Sequence, residues 1–195
     1  MSIEKICTTT SWGSGRIPTN SLRITGGTLR GRRVPVPPRD VRPTAERARQ
    51  AYFNIVNQQI RGARFLDLFA GTGIFSFEAV SRGAAVAVAV DQKTKEIESL
   101  AGEWNAPVKT IAGDVLTAHI DGEFDLVYAD PPYDFDRYDD LLLVIDRIKL
   151  AAGALVAIEH RRKQEPFTVK PEHLAFERRA EYGEVWITFF RATWN

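Results

Sequence analysis

The sequence predicts an α/β fold in which a largely parallel sheet carries helices on both faces. Three observations predict it. From Arg64 onward, short apolar runs of strand length alternate with amphipathic runs of helix length. A Gly-x-Gly turn joins the first of these strands to the first of these helices. The chain then ends in two long strand-like runs about Gly183-Glu184, which read as an antiparallel hairpin closing the sheet.

Taken in order, Met1 to Ser21 is rich in Ser, Thr and Gly, has no apolar stretch of signal-peptide type, and reads as a loosely ordered tail. Leu22–Thr25 and Arg32–Val36 read as short strands, with Gly26, Gly27 and Gly31 between them suited to a turn and a sharp bend. The run Val34-Pro-Val-Pro-Pro38 forbids regular structure. A helix begins at Arg42-Pro43-Thr44, with Thr44 as N-cap and Glu46 placed to suit the dipole. Its apolar stripe is Ala48, Tyr52, Ile55, Val56 and Ile60. Strands follow at Phe65–Phe69, Val86–Val90, Val108–Ile111, Phe124–Ala129 and Ala154–Glu159, with helices at Ile74–Arg82, Thr94–Trp104 and Tyr138–Leu150. The hairpin is Leu174–Tyr182 with Val185–Arg191. The expected organisation is a tail over 1–21, a hairpin-and-helix extension over 22–60, and the α/β domain over 61–195.

With 195 residues and 44% hydrophobic content, the chain can bury one sizeable core. A net charge of +1 assigns no partner, but its distribution does. Between Arg16 and Arg64 every basic residue is arginine, and the only acids are Asp40 and Glu46. A basic front suggests a surface for a polyanion, with Arg23, Arg32, Arg33, Arg42, Arg47 and Arg49 as candidate phosphate contacts. Cys7 is the only cysteine, which rules out an internal disulfide or a thiolate zinc cluster and fits a reducing, cytoplasmic setting. His119, His160 and His173 show no ligand spacing and read as surface or structural, so no metal is expected. No apolar run approaches ~18 residues, and no membrane span is expected. Nothing calls for an obligate dimer, and a monomer is expected.

Phe65-Leu-Asp-Leu-Phe-Ala-Gly-Thr-Gly73 carries the first chemistry. Its glycines let backbone approach a ligand closely. Dinucleotide sites carry a third glycine and set pyrophosphate on the helix start. Here that position is Ser76, and Asp67 lies in the strand where a pyrophosphate would be repelled. Asp67 either accepts hydrogen bonds from loop amides or binds an ammonium. The turn therefore suits a cationic or zwitterionic ligand, and S-adenosyl-L-methionine fits. Asp91 ends the next strand, where an acid accepts hydrogen bonds from a ribose diol. Asp114 either accepts from an adenine amino group or caps a turn.

Asp130-Pro-Pro-Tyr133 closes the fourth strand, at the carboxyl edge where α/β proteins bind ligands. An exocyclic base amine is a poor nucleophile because its lone pair is delocalised into the ring. Asp130 and the Pro131 carbonyl can each accept a hydrogen bond from that amine and turn the lone pair toward a methyl donor. Pro131 and Pro132 make the segment rigid and leave its carbonyls free to accept. Tyr133 offers a flat face to stack on a base. Glu159, at another carboxyl-edge strand end, either lines the pocket or serves as a cap or a salt-bridge partner of Arg161 or Arg162.

Together these motifs resemble the amino-methyltransferases of nucleic acids. The front narrows the resemblance. Arg23-Ile-Thr-Gly-Gly-Thr-Leu-Arg-Gly-Arg-Arg33, Arg42-Pro-Thr-Ala-Glu-Arg-Ala-Arg49 and Tyr52-Phe-Asn54 are similar to the bacterial family that methylates guanine N2 in 16S ribosomal RNA. Phe69-Ala-Gly-Thr-Gly73, Glu78-Ala, Ser81-Arg-Gly83 and Asp130-Pro-Pro-Tyr133 match it as well, so the resemblance runs from Leu22 to Arg191. It implies a Rossmann-like, seven-stranded S-adenosylmethionine-dependent fold with an N-terminal hairpin. It implies a guanine of the small ribosomal subunit as substrate, in an assembled particle or assembly intermediate. It places the cofactor on Asp67, Phe69, Ala70, Gly71, Thr72, Gly73, Asp91, Gln92, Asp114 and Val115, covered by the helix bearing Thr44. Where this chain has Asp91 the family usually carries Glu. The competing readings are a DNA adenine-N6 methyltransferase with the same loop, a nicotinamide oxidoreductase, and a silent RNA-binding module on the same fold.

Overall fold

The computed structural model describes residues 20–36, 43–162 and 166–193. A short antiparallel ribbon, β1 (Ser21–Arg23) and β2 (Arg33–Pro35), precedes α1 (Pro43–Ile55). The main unit then runs β3 (Arg64–Leu68), α2 (Ile74–Ser81), β4 (Val86–Asp91), α3 (Lys95–Trp104), β5 (Val108–Ala112), β6 (Phe124–Ala129), α4 (Tyr138–Arg147) and β7 (Leu150–Arg161). The hairpin β8 (Leu174–Tyr182) and β9 (Val185–Ala192) completes it. Residues 1–19 of the expected tail lie outside the described residues, as do Arg42 and the side chain of Thr44.

The sheet has seven strands in the order β5-β4-β3-β6-β7-β9-β8. All pairings from β5 to β7 are parallel, and β9 runs antiparallel to both of its neighbours. The strand order reverses between β3 and β6. Chains leaving these two strands in opposite directions open a crevice at the carboxyl edge.

Period-two alternation divides the sheet into two buried faces. Phe65, Ala87, Ala89, Leu126, Tyr128 and Ala157 pack beneath α1, α2 and α3. Leu66, Leu68, Val90, Val127 and Ile158 pack against Leu141, Leu142 and Ile145 of α4. Ile24 and Val34 of the ribbon belong to the first of these clusters, so the ribbon shares the core of the sheet.

Val34 and Pro35 pair within β2, although their proline-rich run was expected to forbid regular structure. An edge strand can hold a proline because its N–H side needs no partner. Several element ends also differ from expectation. The first helix takes in Pro43, so Thr44 stands inside its first turn and not before it. Proline suits that first turn because its missing N–H would have no partner there. The fourth helix stops at Arg147, since Ile148 is already extended and Leu150 pairs with Phe124. The last parallel strand is accordingly longer than expected, with a register shift opposite Phe124/Leu126. No helix among the described residues is long and apolar enough to cross a membrane.

One buried carboxylate docks the ribbon. Glu78 on α2 is fully buried and accepts from the Thr25 amide at 2.9 Å, the Thr25 hydroxyl at 2.7 Å and the Gly26 amide at 3.0 Å. Arg82, one turn on, closes the pair at 2.8 Å. The approach requires glycine: a Cβ on Gly27, at φ +77°, would fall 1.6 Å from the Ser81 carbonyl oxygen.

Candidate active site

The strand β3 ends in an abrupt reversal. Phe69 takes a left-handed φ of 59°, held by its ring against Phe135 with centroids 5.3 Å apart. Strain of this kind persists only where surrounding structure enforces it. Gly71 and Gly73 follow at φ 55° and 75°, and a Cβ on Gly73 would press on Ile97 of α3 at 3.0 Å. The Gly73 amide donates to the Ala70 carbonyl at 2.8 Å, and the Ala70 amide donates to Val90 at 3.1 Å. Thr72 is half-buried beside exposed Gly71.

Asp67 makes backbone contact of the first expected kind, in a modified form, and this leaves the ammonium role open beside it. Its buried carboxylate accepts from the backbone amide of Ser76 at 3.0 Å and from the Ser76 hydroxyl at 2.6 Å. It thus grips the first turn of α2, and the serine at the third-glycine position supplies the grip. Burial pushes its pKa up to about 7 against the lowering effect of Ser76. Asp91, at the end of β4, accepts from the Gly71 amide at 2.9 Å and from the Lys93 amide at 3.0 Å. The acid at the strand end therefore fixes the glycine turn directly. Gln92 beside it is exposed. Asp114 is exposed and accepts from the Leu116 amide at 2.9 Å, as a turn-capping residue does. Val115 is 2% exposed and its side chain belongs to the core.

Asp130, Pro131, Pro132 and Tyr133 leave β6 at the same carboxyl edge. The Asp130 amide donates to the Leu68 carbonyl at 3.2 Å, so the loop starts beside the glycine turn, across the point where strand order reverses. Pro131 is buried and Asp130 is exposed. Pro132 accepts from the Phe135 amide at 2.9 Å, which turns the loop back on itself. Tyr133 is 63% exposed, an unusual position for a large aromatic ring.

Two features here were not read from the sequence. Arg161, at the end of β7, donates to the Tyr133 carbonyl and lays its guanidinium 3.1 Å from the Tyr133 ring centroid. Tyr128, buried in β6, donates its hydroxyl to Glu159 at 2.6 Å. Of the readings open for Glu159, pocket lining, a cap or a salt bridge, none names this phenol, which donates to its carboxylate. A tyrosine at a core-facing strand position was the available signal, because a buried hydroxyl needs a partner. His160 is buried and bonded to Thr188 at 2.8 Å, a structural position.

The arginines divide. Arg23, Arg32, Arg33 and Arg47 are exposed. Arg32 lies over Trp104 at 5.2 Å, and Arg33 donates to Ser21 at 3.1 Å. Arg49 corrects the expectation for it. It is 2% exposed and donates to the Arg23 carbonyl at 2.9 Å, so in this arrangement it supports the ribbon and does not offer itself to phosphate. Burial pushes its pKa down. Tyr52, on the next turn, is fully buried against Tyr128 with ring centroids 4.6 Å apart. Its hydroxyl has no hydrogen-bond partner among the described residues.

This sheet order, with a glycine turn, a strand-end acid and a proline-rich loop about one crevice, defines a Rossmann-like methyltransferase. N-methyltransferase NodS of Bradyrhizobium japonicum, solved with S-adenosyl-L-homocysteine, shares the fold at a TM-score of 0.64. It is 14% identical, over 78% of this chain and 89% of that one. The solved Escherichia coli protein yhhF matches at a TM-score of 0.77 and 26% identity, over 89% of this chain and 99% of that one. Ribosomal RNA small subunit methyltransferase D of Escherichia coli is 33% identical over 182 residues, covering 89% of this chain and 88% of the relative. The chain belongs to the family described as Conserved hypothetical protein 95, whose model matches residues 22–191.

Proposed function

We propose that this enzyme transfers a methyl group from S-adenosyl-L-methionine to the exocyclic N2 amine of a guanine in 16S ribosomal RNA, within a small ribosomal subunit or an assembly intermediate. The observation that carries this reading is the placement of Asp130–Tyr133 beside the glycine turn, at the point where strand order reverses. The 33% identity with ribosomal RNA small subunit methyltransferase D of Escherichia coli supports the choice of substrate.

The residues present fit the cofactor. Tyr52 carries a buried hydroxyl without a partner among the described residues, its pKa pushed up by burial first and by Asp67 second. A zwitterionic ligand would satisfy such an atom. Gly71 and Gly73 leave the backbone bare where a ligand must approach. Phe69, Ala70, Gly71, Thr72 and Gly73 would hold the amino-acid portion above Asp67. Asp91 and Gln92 would meet the ribose, and Asp114 and the backbone of Val115 the adenine. When bound, the cofactor supplies a methyl group on a cationic sulfur.

The protein's own task is to present the amine. Asp130 and the Pro131 carbonyl accept from the two N2 hydrogens and direct the nitrogen lone pair toward the methyl carbon. As the C–N bond forms in exchange for the methyl group's bond to sulfur, Asp130 would stabilise the charge developing on nitrogen and accept the proton that the amine loses. Tyr133, backed by Arg161, stacks on the base and offsets part of the unstacking cost, a few kcal/mol in general. Exposed Arg23, Arg32, Arg33 and Arg47 position the RNA through its phosphates.

Incubation with methyl-labelled cofactor and unmodified small subunits tests the reading, followed by mapping of the methylated base. Label at guanine N2 is expected. Label on DNA, and none on small subunits, would overturn it.

A further inference from the structure

We propose that Glu159 is the specificity-determining residue for the base, accepting the ring N1–H of the target guanine, and that the buried Tyr128 hydroxyl aims it. The proposal rests on the guanine reading above.

The placement follows from strand register. β6 and β7 are parallel with Ala129 opposite Ile158, so Glu159, still within β7, stands beside Asp130 where β6 ends at the same edge. Both carboxylates act on the Tyr128 phenol, and both act on Tyr138. Ala129 and Ile158, paired with each other, both face the α4 side of the sheet, so Asp130 and Glu159, one residue on, both turn to the opposite side from adjacent strands.

The Tyr128 hydroxyl has no packing reason to be present, because phenylalanine would fill the same space. Its ring is stacked on Phe75 with centroids 3.9 Å apart and an interplanar angle of 16°. Tyr52 clamps it from another side. A donor fixed this firmly sets the direction of its acceptor, and a bond to a carboxylate is the strong kind. Burial, with Glu159 and Asp130 nearby, pushes the phenol well above its ordinary range, so it remains a donor at working pH. Two residues beyond Glu159, Arg161 holds the Tyr133 carbonyl and ring. The end of β7 thus fixes both the stacking ring and an acceptor at the edge of the base.

Guanine presents two adjacent kinds of donor on one edge, the N2 amine and N1–H. Asp130 with Pro131 takes the amine, and a second carboxylate alongside takes N1–H. Each carboxylate oxygen has two lone pairs, so accepting from Tyr128 does not exhaust Glu159. Adenine N1 and cytosine N3 carry a lone pair at the equivalent place and would face a carboxylate with like polarity. A site built to hydrogen-bond one group rejects an analogue lacking it far more strongly than an apolar pocket can.

The test uses the guanine mapped for the wild type, rebuilt into reconstituted small subunits either as guanine or as 2-aminopurine. The analogue keeps the N2 amine and lacks N1–H. Wild-type enzyme is expected to favour guanine by about 10²-fold or more in kcat/KM. Glu159→Gln, whose amide can donate to a ring nitrogen, is expected to shrink that preference at least about tenfold. Tyr128→Phe, which keeps the packing, is expected to shrink it in the same direction. A wild-type preference retained within about twofold in Glu159→Gln would overturn the proposal. Should that variant fail to fold, the same result in Tyr128→Phe would do so. Absence of guanine-N2 methylation by the wild type would instead overturn the guanine reading, before any variant is compared.

Discussion

Asp67 shows how a single buried carboxylate couples stability to binding. Its pKa of about 7 arises because burial outweighs two bonds from Ser76. In the unfolded chain it titrates near ~4. Between these values the folded protein keeps a proton that the unfolded chain has released. Stability from this group therefore falls as pH rises through that window, and above it the ionised form is a standing cost. Asp67→Asn is expected to raise stability over wild type at pH 8, by up to about 4 kcal/mol, with the gap closing as pH falls toward ~4. Thermal unfolding at both pH values checks this. Cofactor affinity in the wild type should fall as pH drops through about 7, because a protonated Asp67 no longer attracts an ammonium. Isothermal titration across pH 6–8 reads that slope, and a flat profile would remove Asp67 from ligand binding. Asp130→Ala is expected to lower methyl transfer about 10²–10³-fold while leaving cofactor affinity nearly unchanged. Wild-type turnover in that variant would refute the amine-orienting role.

At the scale of elements, the ribbon β1–β2 depends on α2 more than on its own few strand bonds. Glu78 receives the Thr25 and Gly26 amides and Arg82 in a fully buried position. Removing one partner of such a pair leaves the other charge uncompensated. Glu78→Ala is expected to cost about 3–5 kcal/mol in urea unfolding and to expose the Thr25 and Gly26 amides to hydrogen exchange. Protection unchanged at those two amides would show that the ribbon docks by other means. The ribbon and α1 were legible as elements from glycine spacing and an apolar stripe. That Glu78 joins them was not, because the partners are more than fifty residues apart.

At the scale of the whole molecule, the arginine-rich front separates into surface and support. Arg23, Arg32 and Arg33 project from the ribbon, while Arg49 is spent on the Arg23 carbonyl beneath it. Replacing Arg33 with Gln is expected to lower the slope of log affinity for ribosomal RNA against log salt by about 1. Arg49→Gln should leave that slope alone and destabilise the fold instead. Filter binding across a salt series, with thermal unfolding alongside, tells the two apart. An equal loss of slope in both variants would put Arg49 on the RNA.

The sequence by itself determined the α/β class, the strand and helix order from Arg64 onward, the closing hairpin, and the positions of the glycine turn and the Asp130–Tyr133 loop. These are local: periodicity, glycine placement and proline rigidity act over a few residues. Only the tertiary structure decided that the two motifs lie side by side, that β9 inserts between β7 and β8, and that Arg49 faces inward. It also decided that Asp91 holds the glycine turn, that Arg161 backs Tyr133, and that Tyr128 donates to Glu159. Each of these depends on which strand lies beside which. Register across a parallel sheet joins residues far apart in the chain, and no spacing within one segment records it.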